Sequence, residues 1–138
     1  MTPEEVQAKL AVLRDNLEKL ALIPQGSFEQ FSSDFRNLDS ALHRLQTSIQ
    51  ALIDVASYVT ARKGLGVPET SREILERLEA AAHLPSGSTD RFGPIFGFRN
   101  RVVHLYDRID PEIVFRILTE QRGDLEELLR LLLAALQS

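Results

Sequence analysis

Apolar residues recur along the chain at intervals of three and four positions, which is the spacing of one face of an α-helix. No stretch alternates apolar and polar residues between turn signals, as a half-buried strand would. The pattern predicts five helical segments, separated by breaks rich in Gly, Pro and Ser. Their predicted bounds are about 2–23, 28–62, 70–83, 89–106 and 111–138. The chain is therefore predicted to be all-α.

Local signals mark several of the predicted helix ends. The run Thr2-Pro3-Glu4-Glu5 combines a capping residue, a proline in the first helical position and a capping-box glutamate. Thr70 and Glu73 form a second capping box. Pro94 fits the fourth segment only in its first turn or at a kink. We expect Arg122-Gly123-Asp124 to break or bend the last segment.

The C-terminal stretch, LEELLRLLLAALQS, places leucines around most of the helix circumference. A helix that is apolar on all sides is normally buried on more than one side. Two kinds of cover are open at this point: a second subunit or other partner, and the chain's own core.

Composition limits the class of protein. A chain of 138 residues with 43% hydrophobic and 26% charged residues fits one domain, 1–138, of a soluble protein. The absence of cysteine excludes disulfides, thiolate zinc sites and a cysteine nucleophile. No apolar run reaches the roughly 18 residues of a membrane span, and the acidic start does not resemble a signal peptide, so we expect a cytoplasmic protein. A net charge of −4 argues against uniform coating of nucleic acid.

Basic character is concentrated in one predicted helix. Residues 91–108 hold Arg91, Arg99, Arg101 and Arg108 but only one acidic residue, which gives this window a formal charge of +3. Such a concentration of positive charge is typical of a site that binds phosphate. The three histidines do not have metal-ligand spacing, and no glycine-rich phosphate loop is present, so neither a metal nor a cofactor is predicted.

Helix geometry relates the polar residues of this segment. Arg99 and Tyr106 are seven positions apart and lie nearly on one face, whereas Arg99 and His104 are separated by about 140°. The side chains of Arg99 and His104 can meet in three ways. The arginine side chain can extend around the helix, the helix can unwind near its end, or a second subunit can contribute its own Arg99 or His104. His104 is predicted near a helix C-terminus, where the macrodipole favours imidazolium. The alternative is surface charge with an ordinary polar contact.

The segment from Arg99 to Tyr106, RNRVVHLY, fits an R-x4-H-x-Y signature. Gly97-Phe98 before it, Ile109-Asp110 after it and Ile53-Asp54-Val55-Ala56 upstream match neighbouring blocks of the same family, as does Leu65-Gly66-Val67-Pro68. On these residues the chain resembles the HepT-like toxins, the DUF86 branch of the HEPN superfamily. The similarity extends over most of the chain from about residue 40 onward, and more weakly over the start.

The resemblance implies a five-helix, up-and-down HEPN bundle that forms a homodimer, with its site in the cleft between two motif helices. It implies a metal-independent ribonuclease that is neutralised by an MNT-type nucleotidyltransferase antitoxin, with a larger assembly of the two left open. The implied catalytic residues are Arg99 and His104, and Tyr106 is the implied acceptor of inactivating AMP transfer.

Several residues have two interpretations. Asn100 is expected to orient His104 or the phosphate, or only to bind neighbouring backbone. Asp54 is expected either to support the motif helix indirectly or to pair with an arginine. Arg91, Arg101 and Arg108 either steer RNA or are solvated charges.

Two other functions stay open from the sequence. One is a non-catalytic HEPN module that binds a nucleotidyltransferase or nucleotides. The other is a purely structural bundle, which leaves the concentration of arginines unexplained.

Overall fold

The structure of the protein is a computed structural model that describes residues 1–105 and 108–138, and side chains at all of these except 103–105. The described backbone is helical and contains no strand, so the all-α prediction is confirmed. The elements in chain order are α1 Pro3–Leu22, α2 Phe28–Ser32, α3 Phe35–Arg62, α4 Ser71–Ala80, α5 Ser88–Leu105, α6 Pro111–Arg116, a π-helical turn Ile117–Gln121, and α7 Arg122–Gln137.

Helix α3 is the centre of the bundle, because it packs against α1, α2, α4, α5, α6 and α7. Its buried face repeats at helical spacing and consists mainly of aliphatic side chains. The buried members are Ala41, Leu42, Leu45, Ile49, Ala51, Leu52, Val55, Ala56 and Val59. This arrangement leaves polar residues of α3 at the borders of the face, where they reach the neighbouring helices.

The predicted second segment, 28–62, is wrong in one respect, since it is two helices rather than one. Helix α2 is capped by Ser27, as predicted, but it ends at Ser32. Asp34 then accepts a hydrogen bond from the backbone N–H of Arg36 and starts α3. An aspartate that caps a new helix satisfies backbone donors that a continuous helix would have bonded internally, so the break costs little.

The third segment also ends earlier than predicted, at Ala80 instead of residue 83. Ala82 adopts a φ of 61°, in the left-handed region, and this conformation terminates the helix. In α5, Pro94 lies inside the helix rather than in its first turn. A proline there removes one internal backbone hydrogen bond.

The last segment changes helix type just before the predicted break, and Arg122-Gly123-Asp124 themselves lie in the first turn of α7. The π-helical turn ends at Gln121, immediately before Arg122-Gly123-Asp124. Within α7 the leucines are all buried or half-buried in the single chain. The chain's own core covers part of this helix, while Leu131, Leu133 and Leu136 are only half-buried. Both alternatives considered above therefore stay open. None of the described helices combines the length and the apolarity needed to cross a membrane.

Candidate functional site

Arg99 and Asn100 lie on α5 at the edge of a cavity of about 380 Å³. Phe98 and Val102 are fully buried neighbours that anchor this part of α5 in the core. Gln50 and Ile53 of α3 and the segment 69–71 at the start of α4 complete the lining. Three helices from separate parts of the chain thus meet around one arginine.

Two hydrogen bonds orient the guanidinium of Arg99. Its Nε donates to Oε1 of Gln50 at 2.6 Å, and its Nη1 donates to Oδ1 of Asn100 at 3.3 Å. Arginine has five N–H donors in a planar fork, so the remaining donors can serve an anion in the cavity. The described hydrogen bonds use Nε and Nη1, so the geometry suits an arginine that is held at these two nitrogens and presents Nη2 to a ligand.

None of the described contacts of Asp54 is with an arginine. Its Oδ1 accepts a hydrogen bond from Nε2 of Gln50 at 2.9 Å, and its Oδ2 pairs with Nζ of Lys9 at 2.8 Å. Asp54 therefore reaches Arg99 through Gln50, and its charge partner is a lysine of α1. Sequence reasoning missed Gln50 and Lys9. The one signal for Gln50 was its position one helical turn before Asp54 on α3.

The other arginines of the basic segment have different surroundings. Arg91 binds Asp124 of α7, with Nη2 and Oδ1 2.8 Å apart, and its guanidinium lies 5.0 Å from the ring centroid of Phe92. Arg101 lies on the surface, with its guanidinium 5.7 Å from the ring centroid of Phe98. Arg108 is also exposed. The ion pair favours the structural interpretation of Arg91, whereas Arg101 and Arg108 retain both interpretations.

Two predicted site residues fall outside what the structure describes. Tyr106 lies outside the described residues, and the side chain of His104 lies outside the described side chains. The backbone of α5 continues to Leu105, so position 104 belongs to the last turn of that helix, as the sequence predicted. The approach of His104 to Arg99 stays a prediction.

Glu73 and Arg77 hold the rim of the cavity at the start of α4. Oε2 of Glu73 accepts the backbone N–H of Glu69 at 2.8 Å, while Nη1 of Arg77 donates to the carbonyl of Leu65 at 2.6 Å. The hydrogen bond from Arg77 and that from the Glu69 backbone lower the pKa of Glu73 below its usual range. Gly66 has a φ of 87°, and a Cβ there would collide with the Arg77 guanidinium, so this loop position requires glycine.

The start of α5 is held by Glu79, which belongs to α4. Its Oε1 accepts the backbone N–H of Thr89 at 2.6 Å, and its Oε2 accepts that of Gly87 at 3.1 Å. These backbone donors lower the pKa of the Glu79 carboxyl. Glu79 thus caps the helix that carries Arg99.

Comparison with known proteins identifies relatives over most of the chain. A sequence model of the family described as Ribonuclease HepT-like matches residues 13–132. An mRNA nuclease HepT from Shewanella oneidensis is 27% identical over 119 residues, which cover 86% of this chain and 89% of the relative. A tRNA nuclease HepT from Aphanizomenon flos-aquae is 28% identical over 113 residues, which cover 82% of this chain and 77% of the relative.

Solved structures also match. A tri-AMPylated HEPN toxin from Shewanella oneidensis, in complex with an MNT antitoxin, has 25% sequence identity and a TM-score of 0.82, over 97% of this chain and 99% of that chain. YutE from Bacillus subtilis, a cytosolic protein of unknown function, has a TM-score of 0.81 over 99% of this chain and 92% of that chain. At 13% identity the second likeness concerns the fold alone. The bundle described above is therefore a HEPN fold.

Proposed function

The chain belongs to the HepT-like family, and from this premise we propose that it is a ribonuclease toxin that a nucleotidyltransferase antitoxin neutralises. The observation that carries the proposal is the oriented guanidinium of Arg99 at an open cavity, within the R-x4-H-x-Y segment. Two relatives named as mRNA and tRNA nucleases support RNA as the substrate class.

Arg99 is the phosphate ligand of this proposal. Its Nε is used by Gln50 and its Nη1 by Asn100, so Nη2 is the donor proposed for a phosphodiester oxygen. Positive charge at that position stabilises the extra negative charge of the phosphorane-like transition state more than it stabilises the ground state. Asn100, which accepts a hydrogen bond from Arg99, supports the same orientation.

His104 is the proposed acid–base group. RNA carries its own nucleophile, the 2′-OH, next to the scissile phosphate. A base removes the 2′-OH proton, the O2′–P bond forms, the P–O5′ bond breaks, and an acid protonates the leaving O5′. In a homodimer His104 and its symmetry mate divide the two roles. The products are a 2′,3′-cyclic phosphate and a 5′-OH, and no metal enters these steps.

Arg101 and Arg108 are the proposed contacts to the rest of the RNA backbone, because both are exposed and lie on or just after the motif helix. Surface arginines of this kind contribute affinity that falls with salt. Arg91 contributes less to this binding, since Asp124 already compensates its charge.

Tyr106 is the proposed site of inactivation. It lies seven positions after Arg99, so a regular helix places both residues on one face. Transfer of AMP from ATP to the tyrosine hydroxyl forms a Tyr–O–P bond and releases pyrophosphate. The phosphodiester adds negative charge where Arg99 receives RNA phosphate, which blocks binding. The tri-AMPylated state of the Shewanella oneidensis toxin supports this form of control.

The decisive experiment compares wild type with His104→Ala and Arg99→Ala, using growth after induction and cleavage of total RNA by purified protein. We expect both variants to lose toxicity and to cleave at least about 100-fold more slowly, since acid–base catalysis contributes that much. Substrate with a 2′-deoxy nucleotide at the cleaved position should resist wild type.

His43→Ala is the matched control, because His43 is an exposed histidine on α3 and should leave cleavage unchanged. Undiminished cleavage by His104→Ala would refute the role of His104. An inert wild-type protein that still binds the nucleotidyltransferase would favour the non-catalytic module instead.

A further inference from the structure

Gln50 occupies the centre of a hydrogen-bonded chain that crosses three helices. Arg99 of α5 donates to it, and it donates to Asp54 one turn along α3, which pairs with Lys9 of α1. Gln50 lines both the cavity that holds Arg99 and a second cavity, of about 240 Å³, that also borders Lys9 and Asp54. The side chain thus separates the arginine from the carboxylate.

The donors and acceptors on either side of Gln50 allow only one orientation of its amide. Guanidinium groups only donate, and ionised carboxylates only accept. The amide must therefore turn its oxygen to Arg99 and its NH₂ group to Asp54, as the structure has it. A flipped amide would lose both bonds and face like polar atoms on each side.

This series of hydrogen bonds also preserves the positive charge of Arg99 at the cavity. A carboxylate in direct contact with Arg99 would orient the guanidinium but would cancel the charge that attracts phosphate. Gln50 supplies a neutral acceptor instead, and the negative charge of Asp54 is compensated by Lys9 at 2.8 Å. The Arg99 guanidinium is therefore oriented without losing its positive charge to a neighbouring carboxylate.

We infer that Gln50 is a positioning residue, held by Asp54 and Lys9, that aims the guanidinium of Arg99 at the phosphate of the substrate. This inference rests on the proposed ribonuclease function for its effect on turnover. The contact between Gln50 and Arg99 can be measured without any reaction.

The first test uses Gln50→Met, which keeps the length of the side chain and removes both hydrogen bonds. We expect kcat to fall about tenfold with a smaller change in KM, since loss of one hydrogen bond to a charged group has roughly this effect. In an Arg99→Lys background the same substitution should have little further effect, because Gln50 acts through Arg99.

Gln50→Glu separates orientation from charge. It retains an oxygen acceptor for Arg99 but places a carboxylate at the cavity and beside Asp54. We expect KM to rise and binding to weaken, in contrast to the kcat effect of Gln50→Met. Gln46→Met is the matched control, because Gln46 lies on α3 one turn earlier and makes none of the described hydrogen bonds. Thermal unfolding checks that each variant folds.

A readout that does not depend on turnover is the ¹⁵N–¹H signal of the Arg99 Nε–H, assigned by its loss in Arg99→Lys. A hydrogen-bonded Nε–H exchanges slowly with water, so wild type should show a protected signal and Gln50→Met should not. Equal protection in both proteins, or additive kinetic losses with Arg99→Lys, would overturn the inference. If wild type cleaves no RNA, the proposed function fails, while the Nε–H signal still decides whether Gln50 positions Arg99.

Discussion

Ser48 is fully buried in α3, and its hydroxyl has no hydrogen-bond partner among the described atoms. Thr60, equally buried on the same helix, donates from Oγ1 to the carbonyl of Ala56 at 2.8 Å. The desolvation of a buried polar group destabilises the folded state when no hydrogen bond offsets it. The hydroxyl of Ser48 should therefore lower the free energy of unfolding.

Ser48→Ala should raise the free energy of unfolding by about 1 kcal/mol. The gain from removing an unsatisfied hydroxyl should exceed the loss from the small void that the alanine leaves. Urea denaturation measures the change through the midpoint at constant slope. Thr60→Val is the control: it removes a satisfied hydroxyl of equal burial and should destabilise. A Ser48→Ala protein less stable than wild type would mean that this hydroxyl is satisfied in solution.

Helix α5 depends on a neighbouring element for its start. Glu79 of α4 accepts backbone N–H groups of Gly87 and Thr89 and so caps α5 from outside the helix. Most other caps here are local: Thr2, Ser27, Asp34, Thr70 and Asp110 each cap the helix that follows them. The helix that carries Arg99 is therefore stabilised by the packing of α4 against α5.

Glu79→Gln should lower stability near neutral pH and make the acid limb of the stability curve shallower. The pKa of Glu79 is lowered from its ordinary value of 4.5, so its stabilisation is present above that value and is lost as pH falls through the folded-state pKa. The urea midpoints of wild type and variant should therefore differ most at about pH 7 and draw together as the pH is lowered.

Glu126→Gln serves as the control, since it removes an exposed carboxylate of α7 that makes none of the described side-chain hydrogen bonds or ion pairs, and it should change stability little. A difference between wild type and Glu79→Gln that stays constant with pH would contradict the assigned role of the carboxylate.

At the scale of the whole molecule, the site is a product of helix packing. Lys9, Gln50, Ser71 and Arg99 come from α1, α3, α4 and α5 and border two cavities that share Gln50. Other ties between distant segments are polar as well: Nη1 of Arg122 donates to Oε1 of Gln25 at 2.9 Å. The bundle is thus joined by its apolar core and by a few hydrogen bonds between helices.

Control of the proposed toxin also belongs to this scale, because it requires a partner. After incubation with the cognate nucleotidyltransferase and ATP, wild type should gain mass in whole multiples of AMP and lose cleavage activity. Tyr106→Phe should gain none. Tyr58→Phe is the matched control, because Tyr58 and Tyr106 are the two tyrosines of the chain. Intact-protein mass spectrometry reads the result, and an unchanged mass gain in Tyr106→Phe would exclude this site.

The sequence was sufficient for features that depend on neighbouring residues. Helical periodicity and capping residues predicted the all-α class and the starts at Thr2 and Thr70, because a cap satisfies backbone groups within one turn. The break before Asp34 was missed, since continuing or restarting a helix differs little in local energy. The motif likewise placed Arg99 and Asn100 on one helix.

The surroundings of Arg99 were decided only by tertiary structure. Gln50 is 49 residues away in the chain, and no local pattern joins it to Arg99. Asp54 was recognised in the sequence, but its partners, Gln50 and Lys9, were not. Periodicity and capping depend on contacts within a few residues, whereas the partner of a charged side chain depends on which helix faces pack together. The sequence could therefore identify the arginine, but only the packed bundle determined what orients it.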